Sequence, residues 1–316
     1  MQAVLPLTVA GRRVVADRIV ELTLRSPTGA KLPNWTPGAH IDLVLDEHLT
    51  RQYSLCGDPS DESTWRIAVL REDGGRGGSR YVHERLTVGT TVATFGPRNH
   101  FELRGGTDFI FIAGGIGITP ILPMIEATER SGHTWELHYG GRSTLSMAYL
   151  DRVQQLGKGK VTVYTETEHG HIDVESILGT VRLGAQIYCC GPSPLLGAVQ
   201  QQCSTWPTGS LVIERFAADP LNAARTDDPG FDIVFEQSGT TAVVPPGISI
   251  VEVAEKNGIS VITSCEEGMC GTCETTVLEG EVDHRDSLLS AEERESGSTM
   301  MICVSRCNSG RLVLDL

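Results

Sequence analysis

Four cysteines constrain the C-terminal part of this chain more tightly than any other feature. Cys265, Cys270 and Cys273 lie in the stretch SCEEGMCGTC, residues 264–273, which reads C-x4-C-x2-C, and Cys303 follows after twenty-nine further residues. Three thiolates on one short loop and a distant fourth have the spacing that wraps a [2Fe–2S] cluster. Gly268 and Gly271 would let backbone N–H groups approach the sulfides where a side chain would block them. The competing reading is a structural zinc site, but that usually shows two cysteine pairs, or a pair with a paired histidine element, and His284 stands alone. Cys307 is a second candidate for the closing ligand. The apolar run Met300-Met301-Ile302 reads as a buried strand able to hold a sulfur against a dry cluster, which favours Cys303.

At 316 residues the chain has room for two or three domains. Residues 1–8 lack the basic start of a signal peptide, and no apolar run approaches the roughly 20 residues of a membrane span. Nine cysteines, with four assigned to iron, suit a reducing, cytoplasmic setting. The net charge is −14, and residues 229–316 carry fifteen acidic against five basic side chains, so most of the excess sits on the cysteine-bearing segment. Such a field opposes nucleic acid and anionic membranes and would steer a basic protein partner.

Residues 1–104 alternate apolar and polar positions in short runs punctuated by Gly and Pro, which predicts an antiparallel β-barrel with a helix near 79–86. From Asp108 the pattern changes. The continuous apolar run Phe109–Ala113 reads as a strand buried on both faces, and strands at 135–139, 161–165, 185–189 and 210–213 alternate with helical segments. Residues 105–222 are therefore expected to form an α/β, doubly wound parallel-sheet domain. A polar linker is expected at 223–230. Residues 231–316 are then a separate α+β domain with a hairpin through Ser238-Gly239 and a helix at 250–256.

Three stretches carry binding chemistry. The turn Gly114-Gly115-Ile116-Gly117-Ile118-Thr119-Pro120 follows the buried strand and opens a helix, so its backbone can approach a pyrophosphate. Its spacing is not G-x-G-x-x-G, which argues against a standard dehydrogenase fold. Arg51-Gln52-Tyr53-Ser54 combines a phosphate-binding cation, a ring able to cover an isoalloxazine and a hydroxyl; alone it reads as an ordinary strand. The loop Gly74–Arg80 is a nest of backbone donors with basic residues, or simply a flexible hairpin loop. Cys189-Cys190-Gly191-Pro192 and Glu214-Arg215-Phe216 flank the nucleotide turn at strand ends.

The order of these elements resembles the phthalate dioxygenase reductase family over essentially the whole chain. The elements are Arg51-x-Tyr53-Ser54, Gly77-Gly78-Ser79, the Gly114 turn, Cys190-Gly191-Pro192 and a C-terminal plant-type ferredoxin. Vanillate O-demethylase reductases look similar, and related ferredoxin-NADP reductases carry FAD without a fused cluster. The resemblance implies an FMN-binding barrel, an NAD-binding domain and a β-grasp [2Fe–2S] domain in one monomeric chain. It implies that Arg51, Gly77, Gly78 and Ser79 bind the FMN phosphate, that Tyr53 lines the ring and that Ser54 lies near flavin N5. Gly114, Gly115, Gly117, Thr119 and Pro120 would hold the nicotinamide nucleotide, with Arg142 near its pyrophosphate or ribose. Cys190 would face the nicotinamide beside Gly191 and Pro192, and Phe216 would lie close to the flavin. Ser54, Thr119, Cys190 and Phe216 would then flank the reacting rings.

The expected activity is electron transfer from NADH through flavin and cluster to a Rieske-type aromatic oxygenase or demethylase. A haem or other monooxygenase is the alternative acceptor. A redox sensor using the cluster and spare thiols such as Cys203 and Cys307 is the reading of a different class. NADP-using relatives place serine and arginine after the strand that here ends Val163-Tyr164-Thr165, where this chain has Glu166 and Glu168. A carboxylate there repels a 2′-phosphate and accepts a bond from a free 2′-hydroxyl, which favours NADH. Glu166→Arg is expected to narrow the preference for NADH over NADPH, measured as the ratio of kcat/KM; an unchanged ratio removes Glu166 from the ribose site.

Overall fold

The computed structural model describes residues 4–46, 49–156, 159–217 and 225–316, and divides the chain into two compact units, Met1–Phe216 and Ala217–Leu316. The first unit begins with β1 (Leu5–Ala16), β2 (Ile19–Arg25), β3 (His40–Asp46), β4 (Leu49–Ser54), β5 (Thr64–Leu70) and β6 (Thr91–Arg98). They pair antiparallel in the order β4-β3-β6-β1-β2-β5, and an isolated bridge from Leu55 to Ile67 joins the two ends. Alternate residues such as Leu22, Leu24, Ile41, Leu43, Trp65 and Ile67 point inward and are buried. Helix α1 (Gly78–Arg85) inserts Val82 into the same core. This is the barrel that the alternating pattern predicts.

The rest of the first unit is a parallel sheet of β7 (Asp108–Gly114), β8 (Thr134–Gly141), β9 (Lys160–Thr165), β10 (Ala185–Cys190) and β11 (Leu211–Glu214), ordered β11-β10-β7-β8-β9. Helices α2 (Ile118–Ser131), α3 (Leu150–Gln154), α4 (Glu166–His169), α5 (Val174–Leu178) and α6 (Ser193–Gln202) connect the strands. Strand β7 is buried on both faces, as its apolar run requires. Phe109, Phe111 and Ala113 pack with α2, while Ile110 and Ile112 pack with residues of α5 and α6. The chain reverses strand order between β7 and β10, so the crevice at their carboxyl ends is the switch point where ligands bind in such sheets.

The second unit contains β12 (Phe231–Phe235), β13 (Thr240–Val244), α7 (Ile250–Lys256), β14 (Glu274–Glu279), β15 (Val282–Asp283), α8 (Ala291–Ser296), β16 (Thr299–Met301), β17 (Arg306–Cys307) and β18 (Arg311–Leu314). The main sheet runs β13-β12-β18-β14-β16, with β12 parallel to β18, and α7 packs on it, a β-grasp arrangement. The 231–244 hairpin turns through Ser238-Gly239, and α7 starts at a Ser249/Glu252 capping box and ends at Lys256. The expected buried strand is present with its boundary shifted by one residue. The strand before Cys303 stops at Met301, because Val304 N–H and Ser305 N–H both bond to the Met301 carbonyl and turn the chain.

Residues 223 and 224 of the expected linker lie outside the described residues, whereas Arg225–Gly230 are tied into the second unit. Asp228 is buried and its carboxylate accepts bidentate bonds from Arg285 at 2.9 Å; its neighbour Arg306 is also buried and donates to the carbonyls of Ile248, Pro229 and Pro245. Removing Asp228 would leave the buried Arg306 without a carboxylate, while Arg285 keeps Asp283 at 2.6 Å, a loss of about 3 kcal/mol. Asp228→Ala is therefore expected to lower the urea midpoint of the second unit by that order. Hydrogen bonds from Arg285 hold the Asp228 carboxyl down to about 2, against an ordinary 3.8. Its contribution is thus complete above the ordinary value and lost as pH falls through about 2, and the acid unfolding curve of the variant should lack that component.

Candidate functional site

Backbone contact at the switch point comes first. A Cβ on Gly117 would stand 2.2 Å from the Cys190 carbonyl oxygen, and one on Gly114 would meet Pro192 at 2.6 Å and Leu195 at 2.9 Å. The glycine turn and Cys190-Gly191-Pro192 are therefore pressed together as two walls of one crevice, at the ends of β7 and β10. Gly115 between them takes a left-handed φ of 55°. Thr119 is buried in the first turn of α2, its hydroxyl donating to the Ile116 carbonyl at 3.0 Å, and Pro120 follows it in that turn. The crevice thus offers backbone N–H groups at a helix start, the chemistry that suits a pyrophosphate.

Three side chains from distant parts of the sequence meet beside this crevice. Cys190 ends β10 in register with Glu214 of β11, and its thiol lies 3.9 Å from Glu214 Oε2. Ser54, at the end of β4 in the barrel, lies near the same carboxyl and lowers its pKa. Glu214 is half-buried as a residue, but its carboxyl end is crowded by protein. Desolvation pushes it up to about 8, while Cys190 and Ser54 pull it back. Burial, together with the Glu214 carboxyl, also raises the Cys190 thiol well above its ordinary value. The sequence placed the stretch Glu214-Arg215-Phe216 beside the nucleotide turn but gave Glu214 itself no role. The available signal was a carboxylate closing the apolar run Leu211-Val212-Ile213 at a strand end. Phe216, two residues further, is exposed.

On the barrel, Arg51 of β4 lies against the loop before α1. A Cβ on Gly78 would meet Arg51 Cγ at 2.5 Å, and Arg51 donates to the Arg76 carbonyl at 3.2 Å. Gly77 takes φ 86° at the N-cap of α1. The two sequence stretches proposed to hold a phosphate are therefore adjacent in space. Ser79 is used differently, because its hydroxyl bonds to the backbone of Glu72. Tyr53 is half-buried and packs against the barrel core. Arg142 and Glu166 are exposed at the carboxyl ends of β8 and β9, where Thr167 Oγ1 donates to the Arg142 carbonyl at 3.5 Å.

In the second unit the four cysteines of the motif lie near one another in two pairs, Cys265 with Cys270 and Cys273 with Cys303, each thiol shifting its partner's pKa. Cys265 holds the Cys270 thiol down to about 5, and Cys303 lowers Cys273. Backbone N–H groups of Glu267 and Met269 point at Cys265 Sγ (3.3 and 3.4 Å), and that of Thr272 points at Cys270 Sγ (3.4 Å). Among the described residues no three His, Cys, Asp or Glu side chains converge on a single-ion site. Two pairs of thiols with N–H donors directed at sulfur fit a two-iron cluster. Cys307 lies apart on β17, its sulfur 3.5 Å from Ser309 Oγ.

Comparison with known proteins agrees with this geometry. Residues 233–308 match the family model of the 2Fe-2S iron-sulfur cluster binding domain. Phthalate dioxygenase reductase of Burkholderia cepacia is 36% identical, with 99% of this chain and 97% of that protein covered. A solved structure of phthalate dioxygenase reductase matches with a TM-score of 0.72 at 35% identity, covering 99% of this chain and 98% of that one. The crystal structure of an intact type IV self-sufficient cytochrome P450 monooxygenase matches with a TM-score of 0.91 at 41% identity; this chain is covered to 99% but spans only 41% of that one.

The position of Glu214 has a measurable consequence. Its folded value of about 8 exceeds the ordinary 4.5, so the folded protein keeps a proton there that the unfolded chain has lost. Its contribution to stability is complete below 4.5 and disappears as pH rises through 8. The melting temperature of the flavin-free protein is expected to fall across this window. In Glu214→Gln that fall should shrink by a few degrees, and an unchanged profile would show that the carboxyl titrates normally.

Proposed function

As the chain belongs to the phthalate dioxygenase reductase family, we propose that the electrons it carries to an oxygenase come from NADH, pass through FMN and leave by a [2Fe–2S] cluster on Cys265, Cys270, Cys273 and Cys303. The observation that carries this reading is the meeting of the barrel residue Ser54 with Cys190 and Glu214 at the switch point of the parallel sheet. It gives the barrel and the nucleotide crevice one shared wall. When bound, the nicotinamide supplies an electron pair, the flavin accepts the pair and releases it singly, and the cluster carries single electrons onward.

The chain's own residues supply binding, orientation and dryness. Arg51, lying against the 76–79 loop, would supply the cation for the flavin phosphate. Gly114, Gly115 and Gly117 admit the nucleotide's pyrophosphate to the start of α2. Ser54, Cys190 and Glu214 line the place where the two rings would stack, and Glu214, protonated at neutral pH, presents a donor and not a charge. Glu166, exposed after β9, would oppose a 2′-phosphate. The thiol pairs, with N–H groups from Glu267, Met269 and Thr272, would hold a cluster and stabilise its negative charge.

The acceptor proposed is a Rieske-type aromatic oxygenase or demethylase, met by a monomeric, cytoplasmic reductase. Its acidic second unit suits a basic partner surface: a groove of about 300 Å³ beside Cys303 is lined by Glu252, Glu255 and Glu266. The likeness to part of a self-sufficient cytochrome P450 favours a haem monooxygenase as the second reading. Among the described residues no helix is long and apolar enough to cross a membrane.

Anaerobic titration with NADH, followed by absorbance and electron paramagnetic resonance, tests the relay. The holoprotein is expected to take up about three electrons per chain, two at the flavin and one at the cluster. Cys273→Ser should lose the cluster signal and take up about two, with the NADH-dependent bleaching of the flavin kept. Loss of both signals in that variant would overturn the modular reading, and a released flavin identified as FAD would overturn the choice of FMN.

A further inference from the structure

A second polar contact between the barrel and the parallel-sheet lobe lies away from the crevice, and the mechanism above leaves it unused. Glu21 of β2 is 3% exposed, yet it carries a carboxylate. Arg13, its cross-strand neighbour on β1, donates to both carboxyl oxygens at 2.7 and 3.0 Å. The Tyr149 hydroxyl, from the other lobe, donates to Glu21 Oε2 at 2.8 Å and lies 3.3 Å from the buried Cys56 sulfur. Burial alone would raise the Glu21 carboxyl, but the bonds from Arg13 and Tyr149 outweigh it and hold the group below its ordinary range.

The backbone at Tyr149 shows that this contact is imposed by the fold. Tyr149 sits at φ 60°, ψ 15°, the left-handed region that a bulky residue rarely takes, just before α3. Such a conformation persists only where surrounding contacts determine it. Its ring is 8% exposed in a core that joins both lobes, with Ile19, Cys56 and Ala68 from the barrel side against Ile125, Ala148 and Val153.

The segment leading to Tyr149 connects this seam to the nucleotide crevice. β8 ends at Gly141, Arg142 follows at the nucleotide edge, and the chain reaches Tyr149 through a short 3-10 turn at Thr144–Ser146. Along that path the Leu145 carbonyl accepts from Asp17 N–H of the barrel at 2.7 Å, and the Ala148 carbonyl accepts from the Tyr139 hydroxyl of β8 at 3.0 Å. One strap of eight residues, 142–149, is thus fixed to the sheet at one end and to the barrel at two points.

We infer that Tyr149 and Glu21 form a clamp that sets the stacking of the nicotinamide ring on the flavin, by locking the 142–149 strap and its lobe to the barrel. Both are positioning residues: neither belongs to the crevice, and both act through the register of the lobes that hold the two rings. The inference rests on the reading that the barrel holds the flavin and the parallel-sheet lobe holds the nucleotide. Stacking is steeply sensitive to such register, since a misplacement of about 1 Å can cost on the order of a hundredfold in rate.

Tyr149→Phe tests it in the holoprotein, because it keeps the ring, its packing and the backbone conformation and deletes only the hydroxyl. Four quantities are read: flavin content, the Kd for NAD+ by equilibrium dialysis, the limiting rate of flavin reduction in anaerobic stopped flow, and the long-wavelength charge-transfer absorbance of NAD+ with the reduced flavin. Flavin content and Kd should stay within about twofold, while the limiting rate falls about tenfold or more and the charge-transfer absorbance falls with it. Hydrogen exchange at residues 17–21 should quicken. Glu21→Gln, which weakens the Arg13 anchor but can still accept from Tyr149, should show a smaller loss in the same quantities, and serves if the first variant does not fold. A limiting rate and charge-transfer band equal to wild type in Tyr149→Phe overturns the clamp, whatever happens to the melting temperature. If NADH leaves the wild-type flavin unreduced, the functional reading fails instead, and the exchange rates at residues 17–21 still report whether Tyr149 locks the strap.

Discussion

Close backbone approach between Gly114–Gly117 and Cys190–Pro192 is the constraint on which the rest of the first unit depends. With a side chain at Gly117 the two strand ends could not meet, because its Cβ would overlap the Cys190 carbonyl. Their contact brings the ends of β7 and β10 together, opens α2 at the crevice and, through the parallel register of β10 and β11, sets Glu214 opposite Cys190. The barrel then delivers Ser54 to the same carboxyl. A backbone requirement of two glycines therefore fixes the crevice that the proposed function assigns to the nucleotide beside the flavin.

The buried carboxylates of the first unit illustrate two physical solutions. Glu21 meets a bidentate guanidinium and a phenol, so it stays ionised in spite of burial. Glu214 meets only a thiol and a hydroxyl, neither able to balance a charge, so burial wins and the group keeps its proton to about pH 8. Groups of the second kind, at the mouth of a crevice and next to other polar side chains, are the usual mark of a working site, whereas fully paired ones more often fix geometry. That contrast separates the crevice from the clamp.

In the second unit, a loop poor in regular structure is held by its surroundings. Gly268, at φ 68°, presses so close to Val304 and Asp286 that a Cβ would reach within 2.5 Å of the former. Ser287 N–H bonds to the Gly268 carbonyl, and Asp286 accepts from Leu288 and Leu289 N–H. The loop can therefore turn its own N–H groups toward sulfur, the local source of positive potential that an anionic cluster requires. The acidic exterior of the unit acts at longer range than these bonds, and the proposed function gives it a basic partner surface to steer.

Much of this was legible in the linear sequence. The cysteine spacing, the glycine turn after an apolar strand, the capped helix at 250–256 and the alternation of the barrel strands are local patterns. Each is fixed by contacts between residues near in sequence or by the period of one strand or helix. The sequence also singled out Ser54, Cys190 and the Arg51 and Gly77 stretches, though their adjacency came only from the resemblance to a family. What it did not reveal was the pairing of groups remote along the chain. Glu214 looked like the polar end of a strand, and Tyr149 and Glu21 looked like unremarked residues of separate elements. Only the closed barrel and the order of the parallel sheet bring such residues within bonding distance, because a side chain's partner is chosen by the packing of whole layers, which no short window of sequence contains.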